Sequence, residues 1–230
     1  MEFNEIVTYP TQGEDWLKTT LIGGALIFLG FLFIPLLFVY GYIVRVIRGS
    51  LANDSVPPAF DDWGELLVDG VQAWIISVVY LIVPLIVAAI TVGGSFTAIA
   101  TGGEVGAVVG TSSLILGFTA SALLSLVFAY LAVIALVNFT REGRFGAAFE
   151  FDLIKTVALD REYAIPWLVS VGVFIAVSLV GMIPFLGWVL TPFVTFYAAI
   201  IAGNLWANGF AQAMESVDGV AQLGEEEALV

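Results

Sequence analysis

The sequence predicts an all-α fold, a polytopic helical membrane bundle of about five transmembrane helices with two amphipathic helices at the cytoplasmic interface. Three observations lead there. Of the 230 residues, 60% are apolar and only 12% charged, whereas soluble domains carry roughly a quarter charged. The charges leave four uncharged stretches, 19–44, 70–103, 105–140 and 163–214, each longer than the roughly 18 residues that mark a spanning helix. Between these stretches the apolar pattern changes to a one-faced helical repeat, the mark of a helix lying at a surface.

The chain opens with an acidic segment, 1–16, holding Glu2, Glu5, Glu14 and Asp15 and no basic residue. A secretory signal needs a positive start, so the first apolar segment is expected to stay in the mature protein. A single transmembrane domain is expected over 17–214, with spans at about 17–44, 71–92, 112–140, 163–181 and 189–213. From Thr19 to Val44 there are sixteen Leu, Ile, Phe or Val residues, worth roughly 5 to 10 kcal/mol on insertion. As one helix these residues reach about 39 Å against a hydrocarbon core of about 30 Å, so a tilt or a kink at Pro35 is expected. The second span, with Pro84 as a possible bend, ends where Gly93-Gly94 and Gly102-Gly103 break the pattern. A small-residue loop with Glu104 leads into the third. The last stretch is too long for one span and divides at the turn Gly181-Met182-Ile183-Pro184-Phe185-Leu186-Gly187-Trp188. The acidic segment 215–230 reads as a short disordered tail.

Two segments carry the interfacial pattern. Phe60, Trp63, Leu67, Val71 and Trp74 recur at helical spacing while Asp61, Glu65 and Asp69 follow another face. Phe145, Phe149, Leu153 and Val157 repeat every four residues in the second. Phe60, Trp63 and Phe149 are the expected interfacial anchors. Tyr40 precedes Phe60-Asp61 by twenty residues, Tyr130 precedes Phe149-Glu150 by nineteen, and spans one and three both close with Arg-x-x-Arg, which suggests a weak internal repeat of span, interfacial helix, span, although the Arg pairs align only with a gap.

Orientation follows from basic residues in short loops. Arg45, Arg48, Arg141, Arg144, Lys155 and Arg161, six of the seven, follow odd spans. With five spans this places the protein in the cell membrane with the N-terminus outside and the C-terminus in the cytoplasm. A net charge of −13 has two explanations, acidic tails for a basic partner or adaptation to molar salt, where screening acts within about 3 Å. The spread of acids over loops and both tails favours salt adaptation.

Candidate site residues are few. Arg45 with Arg48, and Arg141 with Arg144, share helix faces and have the geometry to contact a lipid headgroup or anion, or simply anchor by the positive-inside rule. Asn204, Asn208 and Gln212 form a polar stripe fitted to an aqueous path or to a helix contact. Gly117, Ser121, Ser125 and Ala129, and Ala198, Ala199, Ala202 and Gly203, make small faces for close helix packing. With no Cys and no His, thiol chemistry, imidazole bases and the common zinc sets are excluded. No Asp, Glu, Lys or Arg lies in the uncharged stretches that form the expected spans, and no nucleophile elbow or phosphate loop occurs, so no enzyme activity, cofactor or metal is expected.

The stretch Gly41-Tyr42-Ile43-Val44-Arg45-Val46-Ile47-Arg48, followed by Pro57-Pro58-Ala59-Phe60-Asp61-Asp62-Trp63-Gly64-Glu65-Leu66 and Asp69-Gly70, resembles a haloarchaeal family of proteins with a domain of unknown function, number four thousand and thirteen. The resemblance implies a multi-pass membrane protein of a salt-loving archaeon and brings no activity with it. The function expected is that of a non-enzymatic scaffold or accessory subunit acting through helix contacts. A transporter or channel for a small or apolar solute is the alternative. The expected partners are membrane lipids and another copy or another membrane protein, and no nucleic acid.

Overall fold

The computed structural model describes the backbone of residues 3–228 and the side chains of 5–216. Among the described residues it is all α, without strands. The helices are α1 (Phe3–Thr8), α2 (Trp16–Phe28), α3 (Ile34–Leu51), α4 (Trp63–Thr101), α5 (Gly103–Glu142), α6 (Phe151–Ala158), α7 (Arg161–Val180) and α8 (Leu186–Ala228). Five are long and apolar enough to cross a membrane, or six if the bent pair Glu5–Thr11 and Trp16–Leu32 counts as one more. The chain divides into two compact units, Met1–Trp74 with Ile134–Val230, and Ile75–Val133.

In the first unit α8 is the core. Side chains of α8 fill space left by glycines of α2, where Phe196 occupies the site a Cβ on Gly23 would need and Phe193 that of Gly24. On the other helices the glycines belong to α8: Gly203 lets Val46 approach to 3.2 Å, and Gly209 lets Pro166 of α7 approach to 2.9 Å of a would-be Cβ. The expected small face works this way, with Ala198, Ala202 and Gly203 buried. Small residues matter here because helices in lipid gain little from hydrophobic exclusion and must be held by close packing.

The expected single span over 17–44 is instead a helical hairpin. α2 ends in a 3-10 turn, Leu29–Leu32, Phe33 takes a positive φ of 67°, and α3 begins with Pro35 in its first turn. Pro35 therefore starts a helix, where its missing N–H is harmless, rather than kinking one. Hydropathy cannot see this turn, since every residue in it is apolar. The two arms return to one level: the Tyr9 hydroxyl lies 3.4 Å from Ser50 Oγ, at opposite ends of the hairpin's sequence.

The first interfacial segment also differs from expectation. Residues 57–62 are irregular and Trp63 opens α4, which runs on through Gly70 without a break. Nothing in Trp63–Trp74 stops a helix, so the amphipathic portion is the opening of the long helix. Trp63 is 44% exposed, stacked on Phe60 at 5.7 Å and edge-on to Phe38 at 5.2 Å. The second segment is a 3-10 turn, Phe145–Phe149, and the eight-residue α6, which buries Ile154 and Val157. Phe149 is half-buried, its ring 5.6 Å from that of Phe145.

α7 and the start of α8 match the expected fourth and fifth spans, with Gly181–Phe185 forming the turn. Asp160 caps α7 by accepting from the Glu162 N–H at 2.8 Å, and its other oxygen accepts from the Ser216 hydroxyl of α8. α8 continues as helix to Ala228, where an irregular tail was expected; the acidic side chains beyond Ser216 lie outside the described residues.

The second unit is a hairpin of the remaining parts of α4 and α5, closed at Gly103 with φ 58°. The expected loop around 93–111 is helical. Gly93 and Gly94 sit within α4, and Gly110 and Gly117 are contact points, where a Cβ would lie 2.7 Å from the Ser95 carbonyl oxygen and 2.6 Å from Thr91 Cβ. Glycine here serves close approach rather than a break. The hydroxyls of Thr91, Ser95 and Thr97 bond back to their own helix at 2.7–2.9 Å, so they stay satisfied without a neighbour.

Candidate functional site

The residues of the sequence motif converge where α3 meets α4. Gly41 and Gly70 make the joint. A Cβ on Gly41 would collide with the Leu66 carbonyl, and one on Gly70 with the Leu37 carbonyl, so the two backbones are in contact and any side chain would force them apart. Tyr42, fully buried, stacks on Phe60 at 4.3 Å and donates its hydroxyl to the Pro58 carbonyl at 2.8 Å. This fixes the loop between the helices.

Above the joint lies a network of five charged side chains. Arg45 pairs with the Asp61 carboxylate, donates to the Asp61 carbonyl at 3.0 Å and reaches Glu65 at 3.3 Å. Arg48 reaches Glu65 at 3.3 Å and Asp69 at 2.9 Å. Asp69 is buried, its side chain 11% exposed, whereas Asp61 and Glu65 face water. The spacing of three between the arginines and of four between the acids lets one helix face grip the other. The sequence pattern contains both halves of this network; their pairing is visible only once α3 and α4 are antiparallel.

Arg141 and Arg144 meet different surroundings. Both pair with Glu142, at 2.9 and 3.3 Å, and Arg144 also with Glu150 at 3.0 Å. Hydrogen bonding to Glu150, and then to Glu142, holds the Arg144 guanidinium above its usual pKa. Arg141 also lies over the Phe210 ring, 5.3 Å from its centroid. Beneath them the fully buried Asn138 donates to the Ala147 carbonyl at 2.8 Å and to Glu150 at 3.4 Å, a fold-stabilising contact that the sequence pattern did not reveal.

The polar stripe of α8 is not one feature. Asn204 is buried and donates to Ser50 Oγ at 3.0 Å, in the same cluster as Tyr9. Asn208 bonds the carbonyl of Asn204 one turn back at 2.8 Å, and Gln212 is exposed. Trp206 adds a further helix contact, donating to Ser170 Oγ of α7 at 2.9 Å. Ser50 and Tyr9 escaped sequence reasoning because their partner is distant in sequence and neither has a pattern of its own.

Two shallow clefts flank the cluster. One of about 180 Å³ is lined by Pro10, Glu14, Trp16, Thr19 and Val56, and one of about 210 Å³ by Arg45, Arg48, Asp54 and Pro58. Among the described residues no group of three or more acids is placed to hold a metal ion.

No curated protein and no solved structure matches the chain. The sequence model of a family described as "Protein of unknown function (DUF4013)" matches residues 25–186. That span contains both helices of the Gly41–Gly70 joint, the charge network above it and α7, and it covers more than half of the 230 residues: the chain belongs to this family.

Proposed function

We propose that this membrane protein is a non-enzymatic scaffold or accessory subunit that works through helix contacts. The observation that carries the reading is the use made of the polar side chains between its helices. Asn204, Ser50 and Tyr9 are engaged with one another, as are Trp206 and Ser170. Such bonds tie helices together; a conduction path would leave these groups free for solute. The expected lipid-headgroup or anion role of Arg45 and Arg48 is secondary on this reading, because carboxylates of the chain already engage both.

The reading includes an orientation. The hairpin of α2 and α3 brings Tyr9 to Ser50, so the chain re-emerges where it entered, and Lys18 joins the other six basic residues on one face. By the positive-inside rule that face is cytoplasmic, with the segment around Tyr9 and the end of α8 both on it. This replaces the outside N-terminus that followed from counting one span. The excess of acids over bases, 20 to 7, supports a halophilic, archaeal setting. On that basis cleavage between Asn53 and Asp69 is expected to be faster at about 0.1 M salt than in molar salt, and equal rates would remove the support.

Reconstitution tests the scaffold reading. Proteoliposomes of the purified chain should show no ion or small-solute flux above protein-free vesicles, and crosslinking in native membranes should trap a defined membrane partner or a second copy. Flux that is lost on Asn204→Leu would establish transport instead.

A further inference from the structure

The first unit has two unlike ends. One holds Lys18, the four arginines described above and their acids. The other consists of the α2–α3 turn and the α7–α8 turn, and no charged residue occurs over 19–44 or 163–214. Both turns belong to the same end, because α2 runs antiparallel to α8, with Gly23 at Phe196 and Gly24 at Phe193, and α3 parallel to it, with Tyr42 at Phe196 and Ser50 at Asn204.

The side chains at this end point outward. Phe31 is 79% exposed, Phe185 93% and Trp188 83%, with Leu32, Ile34 and Met182 also exposed. Their backbones nevertheless satisfy themselves: Phe33 N–H donates to the Gly30 carbonyl at 2.9 Å, Leu36 N–H to Phe33 at 3.0 Å, Ile183 N–H to Val180 at 3.1 Å and Gly187 N–H to Ile183 at 2.8 Å. These bonds leave the N–H groups satisfied without water, as a place in hydrocarbon requires. Length agrees. The hydrogen-bonded pair Ser50 and Asn204 marks one level near the arginines. From there α3 runs back to Ile34 over about 24 Å and α8 to Leu186 over about 27 Å, both short of a hydrocarbon core of about 30 Å.

We propose that the apolar end of this unit is sheathed by the acyl chains of the far leaflet and does not reach the water beyond, so that the unit meets water through its charged face alone. Two features favour lipid over a protein partner as the occupant: residues 29–33 and 181–185 offer no polar side chain to orient a docked surface, and α3 and α8 measured from the Ser50–Asn204 level are shorter than the hydrocarbon core. The proposal rests on the membrane reading above.

The test uses the natural absence of cysteine. A bimane fluorophore is attached in turn to Phe31→Cys, to Phe185→Cys and, as a mid-helix control, to Ile175→Cys, and each protein is reconstituted into phosphatidylcholine vesicles with brominated acyl chains. Lipid bromine should remove most of the emission at all three positions, with aqueous iodide on both sides having little further effect. Iodide quenching at 31 and 185 with the 175 control still quenched by lipid overturns the proposal alone. Iodide quenching at all three positions overturns the membrane reading itself. Protection from both quenchers, with energy transfer between mixed labelled copies, would show that a second copy covers this end and would also overturn the proposal.

Discussion

The two ends of the first unit solve the same backbone problem with different residues. At the charged end α3 stops at Asn53, φ 62°, whose N–H bonds the Ser50 carbonyl at 3.1 Å while Asp54 N–H reaches Gly49 at 2.9 Å, and α5 stops at Gly143, φ 64°. Asn and Gly are the residues that tolerate such a conformation at a helix end. At the apolar end the residues with positive φ are Phe33, φ 67°, and Phe185, φ 61°, each immediately before a helix, although Gly30, Gly181 and Gly187 are near in sequence. A positive φ in a bulky residue costs on the order of 1–3 kcal/mol, about what burying a Phe side chain in an apolar medium gains. At Phe33 the ring also packs edge-on against Trp74 at 5.1 Å; on the proposal of a lipid-sheathed end, burial of the rings offsets the strain.

Substitutions can break this contrast, and the largest effect is expected at the joint itself. Gly41→Leu must separate two backbones and should lower stability by about 3 kcal/mol or more, seen as a large fall in the unfolding temperature of the solubilised protein. At the apolar end Gly30→Leu meets only the flexible Leu36 side chain, 2.8 Å from a would-be Cβ, and should cost about 1 kcal/mol. Next in size is a charge placed at each end. Phe185→Asp should cost roughly 2.5–3.5 kcal/mol of insertion if the turn lies deep in the membrane, measured as the inserted fraction in a translocation assay, whereas Ser55→Asp should stay within about 0.5 kcal/mol.

The arginine pairs sharpen the contrast within the charged end. Arg48→Gln leaves the buried Asp69 carboxylate without its cation and should cost about 2 kcal/mol. Arg144→Gln removes two solvent-screened pairs, to Glu142 and Glu150, and should change stability far less; denaturant titration of both variants compares them directly. In Phe33→Gly relief of strain and loss of the ring oppose each other, leaving a small net change of about 1 kcal/mol or less. A stabilisation larger than that in lipid would mean that the ring finds no favourable contact there.

What the sequence reveals depends on whether a feature has a local signature. α7 and α8 could be placed because Gly181 and Pro184 punctuate a long apolar run, and α3 with α4 could be marked as special because glycines, aromatics and charges recur at helical spacing. The hairpin of α2 and α3 could not, because its turn is as apolar as its arms and hydropathy registers only transfer to lipid. Gly93, Gly94 and Gly102 were misleading for a related reason: glycine permits both a break and a close contact, and only the partner helix decides between them. The repeat suggested by the two Arg-x-x-Arg motifs shares spacing but not surroundings. Arg45 and Arg48 bridge two helices, while Arg141 and Arg144 meet acids nearby in the sequence. Asn204 illustrates the last limit, since its polar character was plain but its partner, Ser50, lies 154 residues away.

The central claim is that the chain enters the membrane and returns within its first helical hairpin, so that its basic residues gather on one face. Single cysteines at the exposed positions Thr11 and Ser55 test it most directly, with a membrane-impermeant thiol reagent applied to intact cells and then to inside-out vesicles. Both sites should be protected in cells and labelled together in the vesicles. Labelling of Thr11→Cys in intact cells, with Ser55→Cys labelled only in vesicles, would show that the segment crosses once and would contradict the account.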